Sequence, residues 1–130
     1  MRKLLVSFLV LGALGGIIAA CNDDDSPKAK EAKVWLDAFY KKYAIRGNWG
    51  YFGAFPEGKN VNIVFTVPSL QAKQLLEMPE LQRNQFIAMN TCPPDSEKIW
   101  RMLDADGTII TQTRLNGNTF ASTPCKTKDR

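Results

Sequence analysis

Without a histidine anywhere in its 130 residues, this chain has few ways to move a proton near neutral pH or to hold a transition metal. Every His-based triad, shuttle or metal site is excluded. The remaining serine chemistry would need a lysine base. Ser69 and Lys73 are four apart and share a helix face, but Ser69 follows Pro68 at the start of a helical stretch and reads as a cap. Asp104-Ala105-Asp106-Gly107 invites a calcium reading. With Gly107 at the sixth position of a calcium loop, the first and twelfth positions fall on Met102 and Thr113, where carboxylates are required. The segment therefore reads as a turn. Asp37, Glu57, Glu77 and Glu80 are further carboxylates, and no spacing brings two of them together. No cofactor motif and no metal-ligand spacing is present, and the chain is expected not to be an enzyme. What remains is binding chemistry. Trp35, Tyr40, Tyr43, Trp49, Tyr51, Phe52 and Phe55 crowd a short span, and such rings fill a small core and its rim, form a stacking platform for a glycan or anchor a protein partner.

The first twenty residues carry an address. Arg2 and Lys3 form a short basic head, and Leu4 to Ala20 is apolar except for Ser7. This is the layout of a secretory signal peptide. Ile18-Ala19-Ala20-Cys21 closes it and resembles the lipobox of bacterial lipoproteins, an aliphatic and two small residues before an obligatory cysteine. The resemblance covers residues 1–21 only. It implies a diacylglyceryl thioether on Cys21 and cleavage before it, leaving Cys21 as the new N-terminus. Two other readings fit less well. Ordinary cleavage after Ala20 or Ala19 would put Ile18 or Ile17 at a position that wants a small residue. A spanning helix would be at the short limit for a bilayer, and Gly12, Gly15 and Gly16 weaken it. The expected partner is thus a membrane, held through two or more acyl chains without being crossed. Asn22 follows the cysteine where an Asp would favour retention in the inner membrane, which points to the outer one.

With Cys21 committed to lipid, Cys92 and Cys125 remain as an even pair in an oxidising compartment. A disulfide between them would close a loop of about 30 residues, worth roughly 3–4 kcal/mol on the chain-entropy account. The 17 Lys and Arg exceed the 13 Asp and Glu by four, and by two once Arg2 and Lys3 are removed. That balance gives no reason to expect a nucleic-acid partner.

The elements that must position these residues follow from local signals. A lipidated tether and helix start occupies 21–33, an α+β domain 34–125 and a basic tail 126–130. Ser26-Pro27 is a helix entry, and the helix is expected to run to about Ala44. Val34, Trp35, Ala38, Phe39 and Tyr43 are its expected buried stripe. Residues 48–55 and 60–67 read as strands around Pro56-Glu57-Gly58-Lys59. Helical pieces are expected over 70–78 and 80–89, broken at Pro79. Their expected buried residues are Leu75, Leu76, Met78, Leu81, Phe86, Ile87 and Met89. A short helix over 96–103, capped by Asp95, would bury Ile99, Trp100 and Leu103. Strands over 108–115 and 119–123 flank Asn116-Gly117, a strong hairpin signal. The sum is a single α+β domain, with a four-stranded, mainly antiparallel sheet of two hairpins packed against helices on one face.

Strand alternation turns the aromatic set into a functional expectation. Trp49, Tyr51 and Phe55 fall on one side of the first strand and Phe52 on the other, and a sheet covered on one face can bury only one set. At least one large ring is then exposed and available to a protein partner. The sequence reads as a non-catalytic lipoprotein of the cell envelope that holds or recruits another envelope protein. The alternative is an immunity or inhibitor lipoprotein that blocks a periplasmic enzyme or toxin.

Overall fold

A computed structural model of the chain describes residues 24–43, 45 and 47–127. The signal peptide, Cys21 and the last three residues lie outside the described residues. Helix α1 spans Pro27–Lys42. Ser26 caps it, its Oγ accepting from the Ala29 N–H at 3.0 Å, and Lys41 and Lys42 meet the negative end of the helix dipole. Strands β1 (Gly50–Glu57) and β2 (Asn60–Thr66) follow, then helices α2 (Ser69–Glu77), α3 (Glu80–Thr91) and the single turn α4 (Ile99–Met102). Strands β3 (Ile109–Leu115) and β4 (Asn118–Pro124) complete the chain.

The four strands form one sheet in the order β1-β2-β3-β4. Both hairpins are antiparallel, and β2 and β3 run parallel. Three helices separate β2 from β3, and a crossover of that length returns the chain in its original direction. Asn116 and Gly117 turn the second hairpin with φ of 52° and 80°, left-handed values that these two residue types tolerate. All the helices pack on one face. Helix α1 lies over β1 and β2, and α3 over β3 and β4. Between them sit Leu36, Val61, Ile63, Phe65, Ile99 and Ile109, all fully buried. The Sγ atoms of Cys92 and Cys125 are 2.01 Å apart, so a disulfide ties the end of α3 to the end of β4.

Several expected details are corrected. The stripe that α1 buries is Ala29, Ala32 and Leu36, not the larger residues. Alanines let the helix approach the sheet closely, and along its flank Trp35 stacks on Phe39 and Tyr43 tilts against Phe39, while Val34 is 70% exposed. Since Ala29 and Ala32 belong to the core, the packed unit starts before residue 34. Pro68 occupies the cap position of α2, so Ser69 is its first helical residue and makes no capping bond. The 96–103 helix shrinks to α4, preceded by turns and not capped by Asp95, though Ile99, Trp100 and Leu103 are buried. Most consequential, α2 and α3 bury only Ala72, Leu75, Ile87 and Thr91. Leu76, Leu81, Phe86 and Met89 are exposed, Met89 by 85%. No second layer covers the outer side of these helices among the described residues.

Candidate functional site

The aromatic strand β1 is an edge of the sheet, and its alternation is interrupted. Tyr51 pairs with Phe65, but Gly53, not Phe52, pairs with the next residue, Val64. Phe52 is therefore the extra residue of a β-bulge, and the bulge shifts every later side chain to the opposite face. Trp49 and Tyr51 point into the helix side, where Trp49 is buried and Tyr51 half-buried. Phe55 pairs with Asn62 and falls on the open face. Its expected grouping with Trp49 and Tyr51 is thus corrected: it joins Phe52. The two rings lie 5.9 Å apart, and they are 58% and 41% exposed. The Arg114 guanidinium sits 5.2 Å from the Phe52 ring and the Lys33 ammonium 5.7 Å from the Phe55 ring, both within cation–π range.

Beside these rings a groove of about 770 Å³ runs between α1 and β1, lined by Lys33, Asp37, Tyr40, Lys41, Tyr51, Phe52, Gly53 and Phe55. Asp37 organises its wall. Its Oδ1 accepts from the Tyr51 hydroxyl at 2.7 Å and from the Ala54 N–H at 3.2 Å, and its Oδ2 accepts from Lys33 Nζ at 2.8 Å. Burial works to raise the Asp37 pKa. The hydrogen bonds from Lys33 and Tyr51, the Lys33 charge and the Ala54 N–H outweigh it and hold the carboxyl below its ordinary value. Tyr51 is pushed above the ordinary phenol value by burial and by the Asp37 bond and charge, and Tyr40 by burial. Tyr40 stacks on Tyr51 at 4.7 Å and donates to the Thr91 carbonyl. Both phenols stay neutral donors across the physiological range, so neither serves as a base.

The same contacts close the strand edge. Ala54 turns its N–H outward and Asp37 takes it. Pro56, two residues on, would turn its own N–H the same way, and proline has none. The bulge at Phe52 breaks the remaining regularity. An added strand finds no N–H donor at these two positions, and Phe52 and Phe55 stand out from β1 as exposed side chains.

No protein-family model, curated protein or solved structure matches the chain. Its residues alone carry the reading. Ser69 and Lys73 are both exposed on α2. The segment from Asp104 is a turn, the Gly107 N–H donating to the Asp104 carbonyl at 2.9 Å, and Asp106 pairs with Lys59 at 2.7 Å. Glu57 accepts from Asn62. No group of three or more acidic or cysteine side chains capable of holding a metal occurs among the described residues, and no helix there is long and apolar enough to cross a membrane. Sequence reasoning missed Lys33 and Arg114 as members of the site. Lys33 could have been found from its i,i+4 spacing to Asp37, and Arg114 from its even-numbered place beside Ile110 and Gln112 on the open face of β3.

Proposed function

We propose that this chain is a lipid-anchored protein of the cell envelope, without catalysis of its own, that binds another envelope protein through Phe52 and Phe55. The observation that carries this reading is the pairing of two largely exposed phenylalanines on an edge strand whose Ala54 N–H is taken by Asp37 and whose Pro56 has none. Isolated exposed apolar residues are ordinary. Two adjacent rings, each bordered by a cation, form a patch that costs solvation unless something covers it. Arg114 and Lys33 bias the patch toward a partner that surrounds an apolar side chain with carboxylates.

Lipidation of Cys21 sets where this happens, with the outer membrane favoured over the inner by Asn22. Asp25 and Ser26 are fastened to the first hairpin, the Gly58 N–H donating to Asp25 Oδ1 at 2.9 Å and the Ser26 N–H to the Gly58 carbonyl at 2.8 Å. Three residues, Asn22 to Asp24, then separate Cys21 from Asp25, four chain steps with a reach of at most about 14 Å. The Gly58 end lies nearest the bilayer, and the phenylalanine patch looks sideways along the strand.

The test has two arms. Cys21→Ser should leave a larger, unprocessed precursor, and release of a normally matured protein to the soluble fraction would remove the anchored reading. The double variant Phe52→Ala/Phe55→Ala should stay folded, with a stability loss of about 1 kcal/mol or less. It should lose about tenfold or more of the partner recovered after cross-linking in cells, as expected for anchor side chains. Undiminished recovery, or unfolding of the variant, would assign these rings to structure alone.

A further inference from the structure

A second recess opens between α2 and α3 at the start of β1. It has a volume of about 260 Å³. Trp49, Leu75, Met78 and Phe86 form its apolar surface, and the side-chain amides of Gln71, Gln74 and Asn90 edge it. Not one of its lining residues is charged. Gly47 stands at the rim with φ of 69°, and a Cβ there would meet the Gln71 amide at 3.1 Å. Gln71 is held in place by the Trp49 indole N–H, which donates to its Oε1. Asn90 is fixed by donating Nδ2 to the Phe86 carbonyl at 2.7 Å, which leaves its Oδ1 directed to other use. Among the described residues no hydrogen bond engages the side-chain amide of Gln74, which is exposed. Around the mouth, Phe86 is 43% exposed, and α2 and α3 carry further exposed Leu and Met side chains.

We infer that this recess binds an extended, uncharged segment of a partner protein, taking one apolar side chain into the pocket and pairing that segment's backbone with Gln74 and Asn90. The chemistry selects this occupant. A carboxamide offers one donor and one acceptor face, the complement of a peptide unit. An amphipathic helix has its backbone groups already paired and would leave the amides unused. A charged ligand would meet no counter-charge in the lining. The volume accepts a single side chain of leucine or phenylalanine size, not a folded element. Position argues against a lipid surface. Trp49 lies at the start of β1 and the Asp25–Gly58 fastening just beyond its end, about 26 Å away at strand rise with the bulge discounted. On the anchored reading of the preceding subsection, the recess therefore faces away from the bilayer. It is also separate from Phe52 and Phe55, so the two surfaces can be tested independently.

The mature chain in lipid nanodiscs, labelled with 13C at the methionine methyls, reports on this directly. Met78 lines the recess, Met89 lies exposed on α3, and Met102 sits remote as a control. The probes are N-acetylated, C-amidated pentapeptides with glycine flanks and a central Leu, Ile, Val, Phe, Met or Asp. Peptides with a central large apolar residue should shift the Met78 methyl saturably at concentrations up to about 5 mM, the weak-binding range. Met102 should stay still and the Asp peptide should have no effect. Gln74→Leu should weaken binding about fivefold, the value of one net hydrogen bond, and Phe86→Ala should weaken it by a similar factor or more. Absence of any Met78 shift across the set would overturn the inference, as would unchanged affinity in Gln74→Leu. Selective broadening of Met78 by paramagnetic lipid headgroups would assign the recess to the membrane instead. If Cys21 proves unlipidated, the same titration runs in free solution, and its outcome still judges the recess alone.

Discussion

Replacing Asp37 tests whether the groove wall is held as described. Asp37→Ala removes the acceptor of the Tyr51 hydroxyl, the Ala54 N–H and Lys33 Nζ at once. A hydrogen bond to a charged group contributes about 1.5–3 kcal/mol when shielded. Here the carboxylate side chain is 32% exposed and water can reach the half-buried Tyr51 through the open groove, while Ala54 is fully buried, so the two together are worth about 2 kcal/mol or somewhat more. The Lys33 pair is an exposed i,i+4 contact and adds at most about 0.5 kcal/mol. Asp37→Asn keeps one acceptor oxygen and loses the charge, and should cost about 1 kcal/mol at neutral pH. The pH dependence separates charge from shape. The folded pKa of Asp37 lies below its ordinary value, so the unfolded chain takes up the proton first as acid is added. Its contribution is complete above the ordinary carboxylate pKa and is lost as pH falls through the folded value. Urea unfolding of the oxidised mature protein at about pH 7 and about pH 2 reads this directly. The gap between the parent protein and Asp37→Asn should narrow in acid. Asp37→Ala should also free the Ala54 N–H and promote self-association along β1, visible by sedimentation. A gap of equal size at both pH values, or an Asp37→Ala cost below about 0.5 kcal/mol, would refute the assignment.

Two further outcomes follow from the fold. Loss of the Cys92–Cys125 bond, which spans a sequence separation of 33, should cost about 3–4 kcal/mol. Intact mass after alkylation should show these two sulfurs blocked before reduction and free after it, and free thiols in exported protein would contradict the bond. Gly107 packs so tightly that an added Cβ would lie 2.4 Å from the Lys59 carbonyl oxygen. Gly107→Ala should therefore destabilise by about 2 kcal/mol or more, measured by the shift in urea midpoint, and a neutral result would show that the first hairpin is free to move away.

Local signals in the sequence were read well where one residue type decides the backbone. Ser26-Pro27 starts α1, Pro79 divides α2 from α3, and Asn116-Gly117 turns the last hairpin. Such features depend on a few neighbouring atoms. Misreadings arose where tertiary geometry decides. Val34 and Phe39 have the right spacing for a buried stripe, yet Ala29, Ala32 and Leu36 also have it, and the closer approach of the smaller set to the sheet prevailed. Leu81 and Met89 look like core until the number of layers is known, because an amphipathic face is buried only if something lies opposite it. The bonds of Asp37 to Tyr51 and Ala54 cross 14 and 17 residues, and no local pattern announces them.

The bulge at Phe52 ties these threads to the proposed role. In a regular strand Phe52 and Phe55 would point to opposite faces, one ring in the core and one alone in water. The single inserted residue brings Phe55 to the open face that Phe52 already occupies, and there they meet. It also breaks the edge ladder beside an N–H already taken by Asp37 and a proline that offers none. A binding strand that exposed its backbone as well as its rings would recruit any extended chain, its own copies included. Here the Ala54 N–H is taken, Pro56 has none and the rings are displayed, so on the proposed reading selection would fall to side-chain shape and to the Arg114 and Lys33 charges. The substitutions at Asp37 and at Phe52 with Phe55 then test different properties, the first fold and edge closure, the second the proposed partner contact.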